Sequence, residues 1–318
     1  MTRIAVLDDY LDQYRDLADW DSLPSSCEVT FFNKHLGWDE DKVAEALKDF
    51  EVIVGVRERT PFPESQIAKL PNLKLLMTTG MNNASFDNDG ARKHNVTICG
   101  TRSMSHPTIE HTWAMILGLF KQLPAKDKAM HEGGWQAGLS VGLRGKTLGI
   151  IGLGRLGTQV ALIGLAFGMD VIAWSQNLTQ EKCDEVGNIR CVDKDTLFKE
   201  SDVITIHYKL SKRSKGLVGA AEFGMMKPTA YLLNTSRGPI VDEQALLDAL
   251  KNKTIAGAGI DVYWQEPLPA DHPIRKLDNA LLTGHVGYVM KENLELNMAD
   301  MVENIKAWLD GKPVRVMN

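Results

Sequence analysis

A chain of 318 residues with 44% hydrophobic and 24% charged residues has ordinary globular composition and enough length for two cores. Its formal net charge of -5 gives no electrostatic reason for nucleic acid or an anionic membrane as a partner. The apolar run at 113–120 is far short of the ~18 residues a membrane span needs, and the N-terminus, with Asp8 and Asp9 a few residues in, carries no secretory signal.

Short apolar runs alternate with amphipathic helical stretches, the pattern of parallel α/β sheets. Residues 4–7 predict a buried strand followed by a polar helical segment, and 52–56 and 73–77 repeat the strand. A helix over 41–50 sets Val43, Leu47 and Phe50 on one face, and 96–98 closes this block. The helix after Pro107 carries Ile109, Trp113, Ile116, Leu117 and Phe120 at helical spacing, with the proline in the turn that tolerates it. Gly133-Gly134-Trp135 and Gly142-Leu143-Arg144-Gly145 break the pattern. A second α/β series starts at 147–151, with later strands at 171–174, 203–206, 231–233, 257–260 and 281–283, and 291–310 predicts one amphipathic helix. No internal repeat or low-complexity tract interrupts the chain.

The four cysteines, Cys27, Cys99, Cys183 and Cys191, form no CxxC pair, and no His/Cys spacing matches a zinc site. The reading is reduced thiols in a cytoplasmic protein without a metal.

Gly152-Leu153-Gly154-Arg155-Leu156-Gly157 follows a strand and opens a helix over 156–167. In that context the glycines serve a tight turn, close backbone approach to a pyrophosphate and close helix–strand contact, while the free N–H groups of the helix start hold the phosphates. The next strand normally ends in an acid that binds the ribose 2′-hydroxyl of NAD. Here it ends at Ser175-Gln176-Asn177, which can donate to a 2′-phosphate but lack the usual arginine clamp. The expected cofactor is NAD(P), with NADP(H) used at least as well as NAD(H).

Three further loops follow strands of the second series: Asn234-Thr235-Ser236-Arg237-Gly238, Gln265-Glu266-Pro267-Leu268 after Asp261, and Thr283-Gly284-His285-Val286-Gly287. A guanidinium beyond a strand's carboxyl end suits a carboxylate ligand. Taken singly, Arg237 equally suits a pair with a neighbouring acid, Glu266 a surface acid and His285 a loop histidine.

Taken in order, these segments resemble the D-isomer-specific 2-hydroxyacid dehydrogenases, the family of phosphoglycerate dehydrogenase, glyoxylate/hydroxypyruvate reductase and formate dehydrogenase, over nearly the whole chain. The resemblance implies two Rossmann-like α/β domains: a dinucleotide-binding domain at 105–289 inserted into a smaller flavodoxin-like substrate domain of 1–104 and 290–318. It implies hydride transfer between NAD(P)H and a 2-oxo acid, giving a D-2-hydroxy acid. His285 would be the proton donor, Glu266 the group that holds its imidazole, and Arg237 the anchor of the substrate carboxylate. Asp261 would accept from the nicotinamide carboxamide, with Thr108, His207, Thr235 and Gly287 lining the cofactor site. Backbone N–H groups around Gly80, Met81 and Asn82 would meet the substrate carboxylate beside Arg57, and Arg57 or Arg59 would bind a phosphate or simply lie at the surface. Formate dehydrogenases carry Gln where Glu266 stands, which argues against formate. The chain reaches Asn318 without the regulatory domain of some phosphoglycerate dehydrogenases, so serine feedback through one is not expected.

Phosphoglycerate dehydrogenase proper is one alternative, and a nucleotide-sensing corepressor of the same fold another. An L-lactate or L-malate dehydrogenase would carry its glycine motif near the N-terminus. The apolar helix after Pro107 and Gly133-Gly134-Trp135 predict a homodimer.

Overall fold

The computed structural model describes every residue, Met1–Asn318. It divides into two compact units, one of Met1–Met104 with Met290–Asn318 and one of Ser105–Val289.

The first unit is a five-stranded sheet of β1 (Thr2–Val6), β2 (Cys27–Phe31), β3 (Val52–Gly55), β4 (Leu75–Thr78) and β5 (Thr97–Cys99), in the order β2-β1-β3-β4-β5 and parallel throughout. This is the flavodoxin-like order. Strands β3 and β4 are buried along their whole length, which is why they read as apolar runs, broken only by Thr78 at the end of β4. The edge strand β2, which the reading of apolar runs passes over, is only half-buried and carries the alternation Cys27-Glu28-Val29-Thr30-Phe31 instead of an apolar run. Helices α1 (Glu40–Leu47), α2 (Glu64–Ala68) and α3 (Asn88–Lys93) connect the strands. Asp39 starts α1 by accepting from the Asp41 and Lys42 N–H groups, and Asp87 caps α3 at the Gly90 N–H.

The second unit begins with α4 (His106–Lys121) and α5 (Leu123–His131) and builds a seven-stranded parallel sheet. Its strands are β6 (Thr147–Ile151), β7 (Asp170–Trp174), β8 (Ile189–Cys191), β9 (Val203–Ile206), β10 (Tyr231–Asn234), β11 (Gly257–Ile260) and β12 (Ala280–Leu282). Between them lie α6 (Arg155–Ala166), α7 (Gln180–Asp184), α8 (Lys194–Glu200), α9 (Ala220–Met225) and α10 (Glu243–Lys251). The order β12-β11-β10-β9-β6-β7-β8 reverses direction between β6 and β9, the doubly wound arrangement with its switch point beside β6. Helix α4 buries Ile109, Trp113, Met115, Ile116 and Phe120 in the core of this unit. Its apolar side is therefore satisfied within the chain, and the expectation that it needs a partner copy fails for the helix itself.

The chain returns to the first unit with α11 (Lys291–Leu309). Here the structure departs from a simple amphipathic pattern. Asn293, Asn297, Asp300 and Asn304, spaced to share one helix face, are all buried. They grip the strap from Gly100 to Met104. Asn304 donates to the Gly100 carbonyl at 2.8 Å, Asn297 to the Arg102 carbonyl at 2.7 Å, and Asn293 accepts from the Met104 N–H at 2.8 Å. Asp300 accepts from the Arg102 N–H at 2.8 Å and from its guanidinium at 2.6 Å. A strap without ladder partners thus has its polar groups answered by a helix.

Candidate active site

At the end of β6, Gly152 sits at φ +97°, and a Cβ there would stand 2.6 Å from the His207 carbonyl at the end of neighbouring β9. Gly157 lies against that turn so closely that a Cβ would meet the Gly152 carbonyl at 2.1 Å. Gly154 faces open space and caps α6 without any side-chain hydrogen bond, so the first N–H groups of the helix, at Arg155 and Leu156, are left to a ligand. This cradle fits a dinucleotide pyrophosphate at the switch point of the sheet.

Half-buried Ser175 leads from β7 into an exposed turn at Gln176 and Asn177, with Trp174 stacked on Tyr208 at a ring separation of 6.3 Å. His207 bonds Thr205 Oγ1 through Nε2 at 3.0 Å, and burial pushes its imidazole down to about 4, which keeps it neutral.

The chain after β10 is held in detail. Asn234 donates to the Arg237 carbonyl at 2.9 Å and accepts from the Ser236 N–H at 3.1 Å. Ser236 donates to the Tyr208 carbonyl at 2.6 Å, and half-buried Arg237 donates from Nη1 to the Ser236 carbonyl at 2.7 Å. Thr235 Oγ1 lies 3.0 Å from Thr112 Oγ1 on α4. Gly238 packs onto the turn at Tyr263, where a Cβ would meet the Tyr263 carbonyl carbon at 2.1 Å. That contact couples the Arg237 loop to the segment carrying Glu266.

Glu266 accepts from the Tyr263 N–H at 2.8 Å through Oε1, and its Oε2 lies 2.5 Å from His285 Nδ1. Both side chains are largely buried, and the Tyr288 ring meets the imidazole edge-on at 5.5 Å. Nδ1 is thereby committed, and the second ring nitrogen, Nε2, is left for a ligand. The backbone at His285 is left-handed, φ +53°, which a non-glycine residue holds only where neighbours over-determine it.

Asp261 supplies that restraint. Its carbonyl accepts from the His285 N–H at 2.6 Å, Oδ1 from the Val286 N–H at 2.9 Å, and Oδ2 from the Gly287 N–H at 2.9 Å. Thr283 Oγ1 donates to Oδ1 at 2.6 Å. Burial would raise this carboxyl, but the bonds from His111, Thr283 and Val286 outweigh it and bring it down to about 2. Asp261 thus clamps three consecutive N–H groups of the His285 loop, a role the sequence does not disclose. Thr108 packs on the same loop, its methyl 3.8 Å from the position a Gly287 Cβ would take.

The matching family model, D-isomer specific 2-hydroxyacid dehydrogenase, NAD binding domain, covers residues 113–287. The chain belongs to the D-isomer specific 2-hydroxyacid dehydrogenase family. Within it, the chain is similar to a D-3-phosphoglycerate dehydrogenase of Archaeoglobus fulgidus, 35% identical over 285 residues that are 88% of this chain and 53% of that one. It spans about half the length of such relatives. A hydroxypyruvate reductase of Blautia hydrogenotrophica is 31% identical over 99% of both chains. A solved phosphoglycerate oxidoreductase of Vibrio cholerae superposes with a TM-score of 0.92 at 35% identity, covering 98% of this chain and 100% of that one. The domain description makes the cofactor of this family's fold a nicotinamide dinucleotide, in agreement with the cradle.

The expected substrate residues lie in the first unit. Arg57 follows β3 at φ +53° and donates from Nη1 to the Thr79 carbonyl at 3.2 Å. Gly80, at φ +82°, leaves room for that guanidinium, since a Cβ would stand 2.9 Å from Nη1. Two expectations need correction. The Gly80 N–H is already given to Thr101 Oγ1 at 2.8 Å, so only exposed Met81 and Asn82 keep N–H groups for a ligand. Arg59 does not lie at the surface: it is 6% exposed, donates to the Asp8 carbonyl at 3.1 Å and stacks on Tyr10. Its burial comes from Asp8 and Tyr14 folding over β3, a contact across some fifty residues that periodicity does not encode.

All four cysteines are free, no group of three or more His, Cys, Asp or Glu is arranged to hold a metal ion, and no helix is long and apolar enough to cross a membrane.

Proposed function

We propose that this chain is an NAD(P)-dependent oxidoreductase that interconverts 2-oxo acids and D-2-hydroxy acids. The observation that carries the reading is the His285–Glu266 pair, 2.5 Å apart at Nδ1, which leaves Nε2 to exchange a proton with substrate. A nicotinamide dinucleotide held by the glycine cradle would supply or accept the hydride at C2. His285 Nε2 gives its proton to the carbonyl oxygen in reduction and takes it back in oxidation. Glu266 holds the imidazole and stabilises its cation through Nδ1. Arg237 binds the substrate carboxylate and so sets the orientation of C2. The cradle of Gly152, Gly154, Arg155, Leu156 and Gly157 holds the pyrophosphate, with His207, Thr235 and Thr108 along the cofactor. Asp261 has one acceptor position on Oδ2 beyond the Gly287 bond, enough to take a carboxamide N–H. Arg57, Met81 and Asn82 in the first unit recognise the substrate. The free thiols suit a cytoplasmic protein.

The test is a panel of glyoxylate, hydroxypyruvate, phenylpyruvate, branched 2-oxo acids and 3-phosphohydroxypyruvate, each with NADH and NADPH. Reduction of none of them by the purified chain would refute the activity and favour a nucleotide-sensing protein of this fold.

The same panel decides the cofactor. At the turn after β7 an acid would add a charge-assisted hydrogen bond to the ribose of NAD, worth about 1.5–3 kcal/mol. Ser175, Gln176 and Asn177 offer donors and no repulsion, so kcat/KM with NADPH is expected to equal or exceed that with NADH. Ser175→Asp is expected to move the ratio towards NADH. A wild-type preference for NADH above about a hundredfold would mean that another group reads the ribose.

A homodimer completes the reading. With α4 buried in its own unit, the apolar excess falls on α5 and the loop after it: Trp135 is 78% exposed and Leu139 91%, with Leu123 and Met130 exposed as well. Contiguous apolar surface of this kind marks an interface. Light scattering at micromolar concentration is expected to give twice the chain mass, and Trp135→Ser with Leu139→Ser to halve it. A wild-type monomer would reject the dimer.

A further inference from the structure

We infer that His111, on α4, is a positioning residue for His285, acting through Thr283 and Asp261. The inference rests on the activity proposed above. His111 Nε2 lies 3.0 Å from Thr283 Oγ1 and 3.4 Å from Asp261 Oδ1. Thr283 has one hydroxyl proton, and its 2.6 Å contact commits that proton to the Asp261 carboxylate, which can only accept. Thr283 Oγ1 is therefore the acceptor of the His111 bond, and His111 carries its hydrogen on Nε2.

The relay runs from His111 Nε2–H to Thr283 Oγ1–H to Asp261 Oδ1, and Asp261 in turn holds the N–H groups of His285, Val286 and Gly287. A second observation places the ring itself against the loop. A Cβ on Gly287 would stand 3.4 Å from His111 Cδ2, so the imidazole occupies the room that the glycine leaves. One turn of α4 therefore secures both loops of the site: His111 the His285 loop, and Thr112 the Arg237 loop through Thr235. The need for such support is visible in the left-handed backbone at His285, which relaxes if its restraints loosen.

His111 touches neither reacting group, so its removal acts by displacing His285 Nε2. A displacement of about 1 Å costs on the order of 10²-fold in rate. His111→Leu is expected to lower kcat roughly 10- to 100-fold, to leave cofactor affinity within about twofold, and to raise the solvent deuterium isotope effect on kcat as proton transfer becomes limiting. His111→Gln, which keeps an N–H donor near the position of Nε2, is expected to restore most of kcat and the original isotope effect. Thr283→Val breaks the next link and is expected to reproduce the Leu phenotype, which also serves should the Leu variant fail to fold.

Amide hydrogen exchange without substrate separates this proposal from the activity. Val286 and Gly287 are expected to exchange at least tenfold faster in His111→Leu than in wild type, with the strands of the first unit unchanged. Wild-type exchange at those amides, or a kcat loss without a larger isotope effect, overturns the positioning role. A wild type that reduces no 2-oxo acid overturns the activity, while the exchange result still judges the clamp.

Discussion

Replacing His285 by Ala is expected to lower kcat for 2-oxo acid reduction by about 10²–10⁴-fold while cofactor affinity stays nearly constant. The pyrophosphate cradle lies on β6 and α6 and shares no atom with the imidazole, so a fluorescence titration with reduced cofactor should read the same in both proteins. Alanine carries a complication, because the φ of +53° disfavours most residues without a polar side chain to offset it. His285→Asn resolves this, since asparagine tolerates the left-handed region and still offers no proton of suitable acidity. Both variants are expected to lose turnover alike, with Asn the more stable of the two by thermal melting. Undiminished turnover in His285→Asn would remove His285 from the mechanism. Turnover lost in Ala and kept in Asn would assign the effect to the loop's shape.

How much of this is legible in the sequence depends on where each residue's neighbours come from. Strands β3, β4 and β9 announce themselves because a strand buried on both faces is apolar at nearly every position, with only Thr78 and Thr205 interrupting these three. Edge strands β2 and β8 are only partly covered and carry no such run. The glycine cradle is legible because Gly152 and Gly157 have no room for a side chain, and that constraint acts locally. The polar face of α11 reads as solvent-facing, because a helix that buries asparagines against an unladdered strap looks, in sequence, like one that exposes them. His111 and the clamping role of Asp261 escape a sequence reading for the same reason. Their partners, Thr283 and the N–H groups of 285–287, lie far along the chain, and a histidine one turn from Thr108 carries no spacing that marks it. For Gly80 only the fold shows Thr101 arriving to take its N–H, since that partner lies 21 residues on.

Arg237 is where the second large effect is expected. Its guanidinium is oriented by the bond from Nη1 to the Ser236 carbonyl, its loop by Asn234 and by the contact of Gly238 with Tyr263. A carboxylate bound there gains two charge-assisted hydrogen bonds at about 1.5–3 kcal/mol each, so Arg237→Leu is expected to lower kcat/KM for the 2-oxo acid by about 10²–10⁴-fold. The loss should divide between the constants: KM rises with the missing carboxylate bonds, and kcat falls because C2 is no longer held in line. Arg237→Lys restores the charge without the planar fork and is expected to recover only part of the loss, mostly in KM. Cofactor binding should be unaffected in both, and Gly238 must be kept, since any side chain there collides with Tyr263. The decisive comparison is between substrates. A 2-oxo acid and the corresponding simple ketone should differ widely in wild type and hardly at all in Arg237→Leu. A variant that still discriminates between them as wild type does would show that the carboxylate is recognised elsewhere, and Arg57 with the Met81 and Asn82 N–H groups would then be its site.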